Sequence, residues 1–250
     1  MLNIKEQIIV ALKSPLFIIT TIICLLIIIA CYTFYYIIPF EALSLTPYNW
    51  TYDEFDFLHD RKNLYYYGDI NNYDIRSILL RISKIYPNAF HKFLNENGVI
   101  IFTENVHTVM HKFTPILRFM PLHKNEIDYS HGGFFTIKNK RPVICINLRI
   151  PDVIVPIELI FTHEFGHYID RKKNYSKTKK FKTFYKKHAK DYKTPCKACE
   201  GNHKKSKEEF FAVLFTDLTL YPNDSNDIPR DLKNYMQQVF DDFNNYATCE

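Results

Sequence analysis

Cysteine is the first shortage in this chain. Of the six cysteines among 250 residues, Cys24 and Cys31 belong to an apolar stretch, leaving Cys145, Cys196, Cys199 and Cys249. That is too few for a disulfide scaffold, so the fold must rest on a hydrophobic core, for which the chain is long enough. Glycine is also scarce, with six residues, while aromatics, isoleucine, lysine and asparagine abound. This is a compositional habit, and no function is read from it. There is no internal repeat and no low-complexity tract. Cys196-Lys197-Ala198-Cys199 lacks the strand and helix that flank a thioredoxin-like pair. A structural or local disulfide, a second metal site near His203 and a redox role stay open for it.

Charge is missing altogether from Leu16 to Ile38, a run of 23 almost wholly apolar residues. That length suits a helix that crosses a bilayer. The tyrosines at its end, Tyr32, Tyr35 and Tyr36, suit a membrane interface and not the small residues of a cleaved signal. Lys5 and Lys13 precede the run, whereas Glu41, Asp53, Glu54 and Asp56 follow it. The positive-inside rule therefore puts residues 1–15 in the cytoplasm, an anchor at 16–38 and the remainder outside. Ile28-Ile29-Ala30-Cys31 offers a lipoprotein anchored at Cys31 as the alternative. Residues 39–61 read as a polar, acidic and aromatic stalk, and 62–250 as one folded domain.

Within that domain the spacing predicts helix over Tyr73–Asn97, divided at Pro87, with Ile75, Ile78, Leu79, Ile82 and Ile85 on one stripe. Val99–Phe102 reads as a short buried strand, and Val106–Phe119 as a helix broken near Pro115. Gly132–Ile137 and Pro142–Leu148 flank a polar Lys138-Asn139-Lys140-Arg141 turn, a hairpin signature. An edge strand there could hold an extended peptide by backbone pairing, although ordinary sheet core explains its apolar residues equally well.

The hairpin leads to His163-Glu164-Phe165-Gly166-His167. On a helix, residues four apart share a face, so two imidazoles can grip one metal ion. Glu164, beside the first histidine, can take a proton from a water that the metal activates. Ile160, Phe161, Phe165 and Ile169 give this helix a face to bury, with Pro156 at its start. Histidines that merely hydrogen-bond locally are the bland alternative. A catalytic zinc needs a third protein ligand. No histidine stands six residues after His167, which excludes the metzincin arrangement. Ser206-Lys207-Glu208-Glu209-Phe210-Phe211-Ala212 opens a second helix, and both glutamates compete for the role. Ser206 and Glu209 also have capping-box spacing, so Glu209 could serve only as a cap.

His163 to Asp170 followed by Glu209-Phe210-Phe211-Ala212 resembles the catalytic domain of anthrax lethal factor and the related clostridial Pro-Pro endopeptidases. The resemblance covers about Gly132 to Tyr221. It implies an α+β, zincin-like metallopeptidase domain with a small sheet and two metal-bearing helices, here preceded by one transmembrane helix. It further implies Zn2+ held by His163, His167 and Glu209, with Glu164 as catalytic base and Asp170 able to orient a histidine. The family's oxyanion tyrosine, seven residues before the ligand glutamate, is replaced here by Asn202; His203 and Tyr192 are the other candidate donors.

From Arg171 to Lys205 the chain carries a local net charge of +12, against +5 overall. Such a block marks a solvated face, or one turned to anionic lipid, cell-wall polymer or acidic substrate. No recognition motif accompanies it, so nucleic acid is not the expected partner. The expectation is a membrane-anchored zinc endopeptidase acting on peptide or protein substrates. The alternative is a catalytically inactive zincin-fold module, tethered to the membrane, that binds anionic surfaces through its basic segment.

Overall fold

The computed structural model describes residues 15–32, 43, 45–47, 63–113, 132–150, 155–224 and 228–247. Its fold is mixed α+β, with one small sheet and helices on both of its faces.

The first helix, α1 (Pro15–Tyr32), comes from the charge-free run. Thr20 and Thr21 turn their hydroxyls back to the carbonyls of Leu16 and Phe17, which satisfies both groups within the helix. Its aliphatic side chains, Leu16 to Ile29, are exposed. Among the described residues no helix is long and apolar enough to cross a membrane. Residues 33–38 of the expected anchor lie outside the described residues.

The five strands β1 (Thr46–Pro47), β2 (Leu64–Tyr67), β3 (Val99–Thr103), β4 (Gly133–Lys138) and β5 (Arg141–Asn147) stand in the order β1-β2-β3-β5-β4. β2, β3 and β5 run parallel, while β1 and β4 close the two edges antiparallel. All five residues of β3 are buried, as a central parallel strand covered on both faces requires. Its alternation splits the core in two. Ile100 and Phe102 join Ile144 and Ile146 under one layer of helices, while Val99 and Ile101 join Val143 and Cys145 on the other face. That second core also takes in Leu43 and Leu45, both buried. Within the segment read as a stalk, Leu43 and Leu45 belong to the core and Thr46–Pro47 to the sheet, because β1 pairs with β2; its other residues lie outside the described ones.

Helices α2 (Ile75–Ile85) and α3 (Pro87–Asn95) divide at Pro87 as the sequence predicts, with Asp74 capping α2 through the Ser77 N–H. Helix α4 (Val106–Phe113) covers the smaller core, and the rest of the stretch to Phe119 lies outside the described residues. Asn139 and Lys140 take φ of 53° and 62°, so β4 and β5 are joined by a two-residue turn of the primed type that matches strand twist.

Helix α5 (Ile157–Lys173) carries the histidine motif and lies on the larger core. It is buried nearly all round rather than on one stripe, with Leu159, Phe161, Thr162, Phe165, Tyr168 and Ile169 all covered. Phe165 alone meets the rings of Tyr86, Phe93 and Phe161, and a buried ring of this kind is worth about 3–5 kcal/mol. Helices α6 (Lys179–His188), α7 (Asn202–Lys205), α8 (Lys207–Leu220) and α9 (Arg230–Ala247) follow. Of these, α8 crosses α5 closely. A Cβ on Gly166 would lie 3.1 Å from the Cα of Ala212 and 3.3 Å from the Cβ of Phe215, so glycine sets the approach of the two helices.

Candidate metal centre

One turn of α5 separates His163 from His167, which brings their rings to 5.0 Å with perpendicular planes. Helix α8 supplies the third group. Ser206 caps it by accepting the Glu209 N–H at 3.1 Å, so the cap uses the backbone of Glu209 and leaves its carboxylate available. One carboxylate oxygen lies 3.2 Å from His163 Nε2 and the other 3.3 Å from His167 Nε2. Glu208 instead pairs with Lys207 at 3.0 Å.

His163, His167 and Glu209 form a group that could hold a metal ion, with one donor atom from each lying within 4.8 Å of the others. Two imidazoles and a carboxylate are a donor set that zinc accepts, and metal–nitrogen bonds of about 2.0–2.1 Å set tetrahedral edges of about 3.3 Å. Each histidine Nε2 lies about one such edge from one of the two Glu209 oxygens, at 3.2 Å for His163 and 3.3 Å for His167. The set fits zinc without excluding other divalent metals.

The electrostatics agree. Burial raises the Glu209 carboxyl, but hydrogen bonds from His163 and His167 outweigh it and hold the group well below the usual carboxylate range. Burial would lower His167, yet the Glu209 hydrogen bond and the charges of Glu164, Glu209 and Asp170 push it up overall. The pocket favours positive charge.

Glu164 is 7% exposed, and burial raises its pKa against the pull of both histidines. The backbone N–H of Phe135 acts in the opposite sense to burial and favours the charged form of Glu164. Strand β4 explains that donor. Asn147 N–H donates to Gly132 O at 2.8 Å, and alternation along the ladder then spends Phe134 and Thr136 on β5. Gly133, Phe135 and Ile137 turn their backbone groups outward, and no strand pairs with that side of β4 among the described residues. Gly133 also makes room for the helix: a Cβ there would meet Cys145 O at 2.5 Å, Ile160 Cγ2 at 2.9 Å and Glu164 Cγ at 3.2 Å.

Two cavities, of about 560 and 270 Å³, meet at Gly133, Glu164 and Glu209. The larger follows β4 past Phe135 and Ile137; the smaller is walled by Ile150, Val155, Leu159 and Ile160. Together they make a cleft along the open strand edge, with the three donor groups near its middle.

Other expectations are redistributed. Asp170 orients no histidine by hydrogen bond: its two oxygens accept from Ser176 N–H at 2.7 Å and Ser176 Oγ at 2.6 Å, which fixes the turn after α5, and it acts on His167 only through its charge. Tyr192 is withdrawn from the cleft because its hydroxyl donates to Asp217 at 2.7 Å. His203 is buried against the Tyr192 ring. Of the three candidate oxyanion donors, only Asn202 lines a cavity with His163, Glu164 and Glu209.

Cys196 and Cys199 form a disulfide and are both buried, which leaves no thiolate pair for a second metal. The lysines of α6 are largely exposed, and a pair such as Lys187–Asp231 is worth about 0–1 kcal/mol, so this part of the basic block is no stabilising network.

Sequence reasoning missed Asp217. Wholly buried on α8, it accepts from Tyr192 and from Thr194 Oγ1 at 2.9 Å, and its charge and the His163 ring act on each other. His163 Nδ1 is buried without a hydrogen-bond partner among the described residues. The signal was present: an aspartate inside the apolar run Phe210–Leu220 needs partners to be buried. The chain matches none of the known protein families with which it was compared, and no curated protein is similar enough to match it.

Proposed function

We propose that this protein is a zinc-dependent endopeptidase of the zincin type, similar to the lethal factor and Pro-Pro endopeptidase group, and anchored in a membrane by its amino-terminal segment. The observation that carries this reading is the convergence of His163, His167 and Glu209 beside a buried Glu164, on the open edge of β4.

Bound there, zinc would polarise a carbonyl and acidify a water. The chain's own groups do the rest. The outward backbone groups of Gly133 and Ile137, with the carbonyl of Phe135, can pair with an extended peptide and fix its register against the cleft. Glu164, with its raised pKa, accepts the proton of the attacking water and returns it to the leaving amine. The Phe135 N–H favours the charged form of that carboxylate. Asn202, on the cleft wall, is the side chain available to donate to the developing oxyanion.

The anchor rests on the charge-free run Leu16–Ile38 and on the exposed aliphatic surface of α1. The flanking charges put the catalytic domain on the extracytoplasmic side. The test is the Glu164→Gln variant of the zinc-loaded chain with a mixed peptide library. Cleavage should fall by a factor of about 10²–10⁴ while zinc content is unchanged. Undiminished cleavage by that variant, or none by the wild type, overturns the proposal.

A further inference from the structure

Beyond the donor groups, the cleft continues along β4 toward its turn. Below the strand lies a cavity of about 250 Å³ with Phe135, Ile137 and Tyr168 on its floor and Lys140 and Arg171 on its rim. Arg171 is shared with the 560 Å³ cavity, which also reaches Lys177. The same stretch of cleft holds three carboxylates besides Glu164 and Glu209, and each is engaged. Glu96 accepts from the Tyr168 hydroxyl at 2.7 Å and pairs with Lys172; Asp170 is held by Ser176; Glu208 is held by Lys207. No carboxylate among the described residues pairs with Lys140, Arg171 or Lys177, and all three are exposed.

The far end of the cleft differs. Ile150, Val155, Leu159 and Ile160 stand along it, and Lys205 is the one lysine or arginine among the described residues that line it. A peptide lying on the open edge of β4 would therefore meet uncompensated positive charge chiefly on one side of the Glu164 position. A strand advances about 3.3 Å per residue, and Ile137 and the start of the turn at Asn139 lie two and four residues beyond Phe135.

Resting on the peptidase reading, we propose that the cleft selects peptides with an acidic side chain about two to four residues from the scissile bond, on the side facing the carboxyl end of β4. A guest pairing antiparallel to β4, as β5 does, carries that residue amino-terminal to the bond. The apolar floor accepts the methylenes of the acidic side chain while its carboxylate meets Arg171 and Lys140. Selectivity arises from charges that no carboxylate among the described residues neutralises.

The test separates binding from cleavage. Pools of short peptides carrying Asp, Asn or Lys at each position in turn are passed over the full-length, zinc-loaded Glu164→Gln variant, and retained sequences are read. Asp should be enriched about fivefold over Asn at one position, the equivalent of about 1 kcal/mol. Arg171→Glu in the same background should turn that preference toward Lys without changing zinc content. Equal retention of Asp and Asn peptides, or a preference that survives Arg171→Glu, overturns the proposal. Cleavage by the wild type without acidic preference would sink this inference and leave the peptidase standing; acidic preference without cleavage would do the reverse.

Discussion

Gly133 and Glu164 lie so close that a Cβ on the glycine would meet Glu164 Cγ at 3.2 Å, and this approach ties the open strand to the proposed acid–base group of the cleft. It depends on Gly133, whose missing side chain lets α5 lie against β4. Gly133→Ala would press a methyl onto Cys145 O at 2.5 Å and Ile160 Cγ2 at 2.9 Å. Overpacking of this kind costs about 1–3 kcal/mol. The expected result is a lower urea midpoint together with reduced kcat/KM, because Glu164 is displaced along with the helix. An unchanged midpoint in urea denaturation would contradict the close packing described.

Glu209 and Glu208 stand side by side, yet only Glu209 faces both histidines. Glu209→Ala should lose its metal on dialysis, while Glu208→Gln should retain it, as measured by elemental analysis of the dialysed proteins. Equal metal content in the two variants would show that the third ligand lies elsewhere.

Asp217 supplies a pH signature. Burial raises its pKa to about 6, against about 3.9 for an unfolded aspartate. The native state then binds more protons than the unfolded state between those values. The contribution is fully present below about pH 4 and is lost as pH rises through about 6, amounting to about 3 kcal/mol. Urea midpoints of metal-free wild type and Asp217→Asn, compared from pH 4 to 7, should diverge with that slope; parallel profiles would remove Asp217 from the account.

The Cys196–Cys199 disulfide closes a very short loop. Its removal in a Cys196→Ser, Cys199→Ser double variant should cost about 2 kcal/mol of stability in the chain-entropy estimate. Metal content should not change, since neither sulfur belongs to the donor set. A drop in bound metal would assign the pair a ligand role after all.

What was legible in the sequence was local. The break at Pro87, the β4–β5 turn, the strand Val99–Phe102 and the pairing of His163 with His167 all follow from periods and breakers within a few residues. What was hidden depends on partners far along the chain. Asp170 carries the spacing of a residue that orients a histidine, but Ser176, six positions on, captures both its oxygens. Tyr192 belongs to Asp217, 25 residues away, and Leu43 and Leu45 are placed by a sheet whose other strands come later. Composition saw a stalk there because Leu43 and Leu45 are isolated apolar residues in a stretch that is otherwise largely polar, acidic and aromatic.

The crossing at Gly166 and Ala212 has a consequence for how metal and fold are coupled. Because the two helices that carry the candidate donors touch through glycine and alanine at the heart of the core, their backbones cannot move apart without breaching it. Ligand binding then spends little on ordering the site, and a tightly held ion raises the unfolding free energy with the logarithm of its free concentration. Heat resistance of this protein should therefore track metal supply, and chelation should register as a fall in melting temperature even in a variant that catalyses nothing.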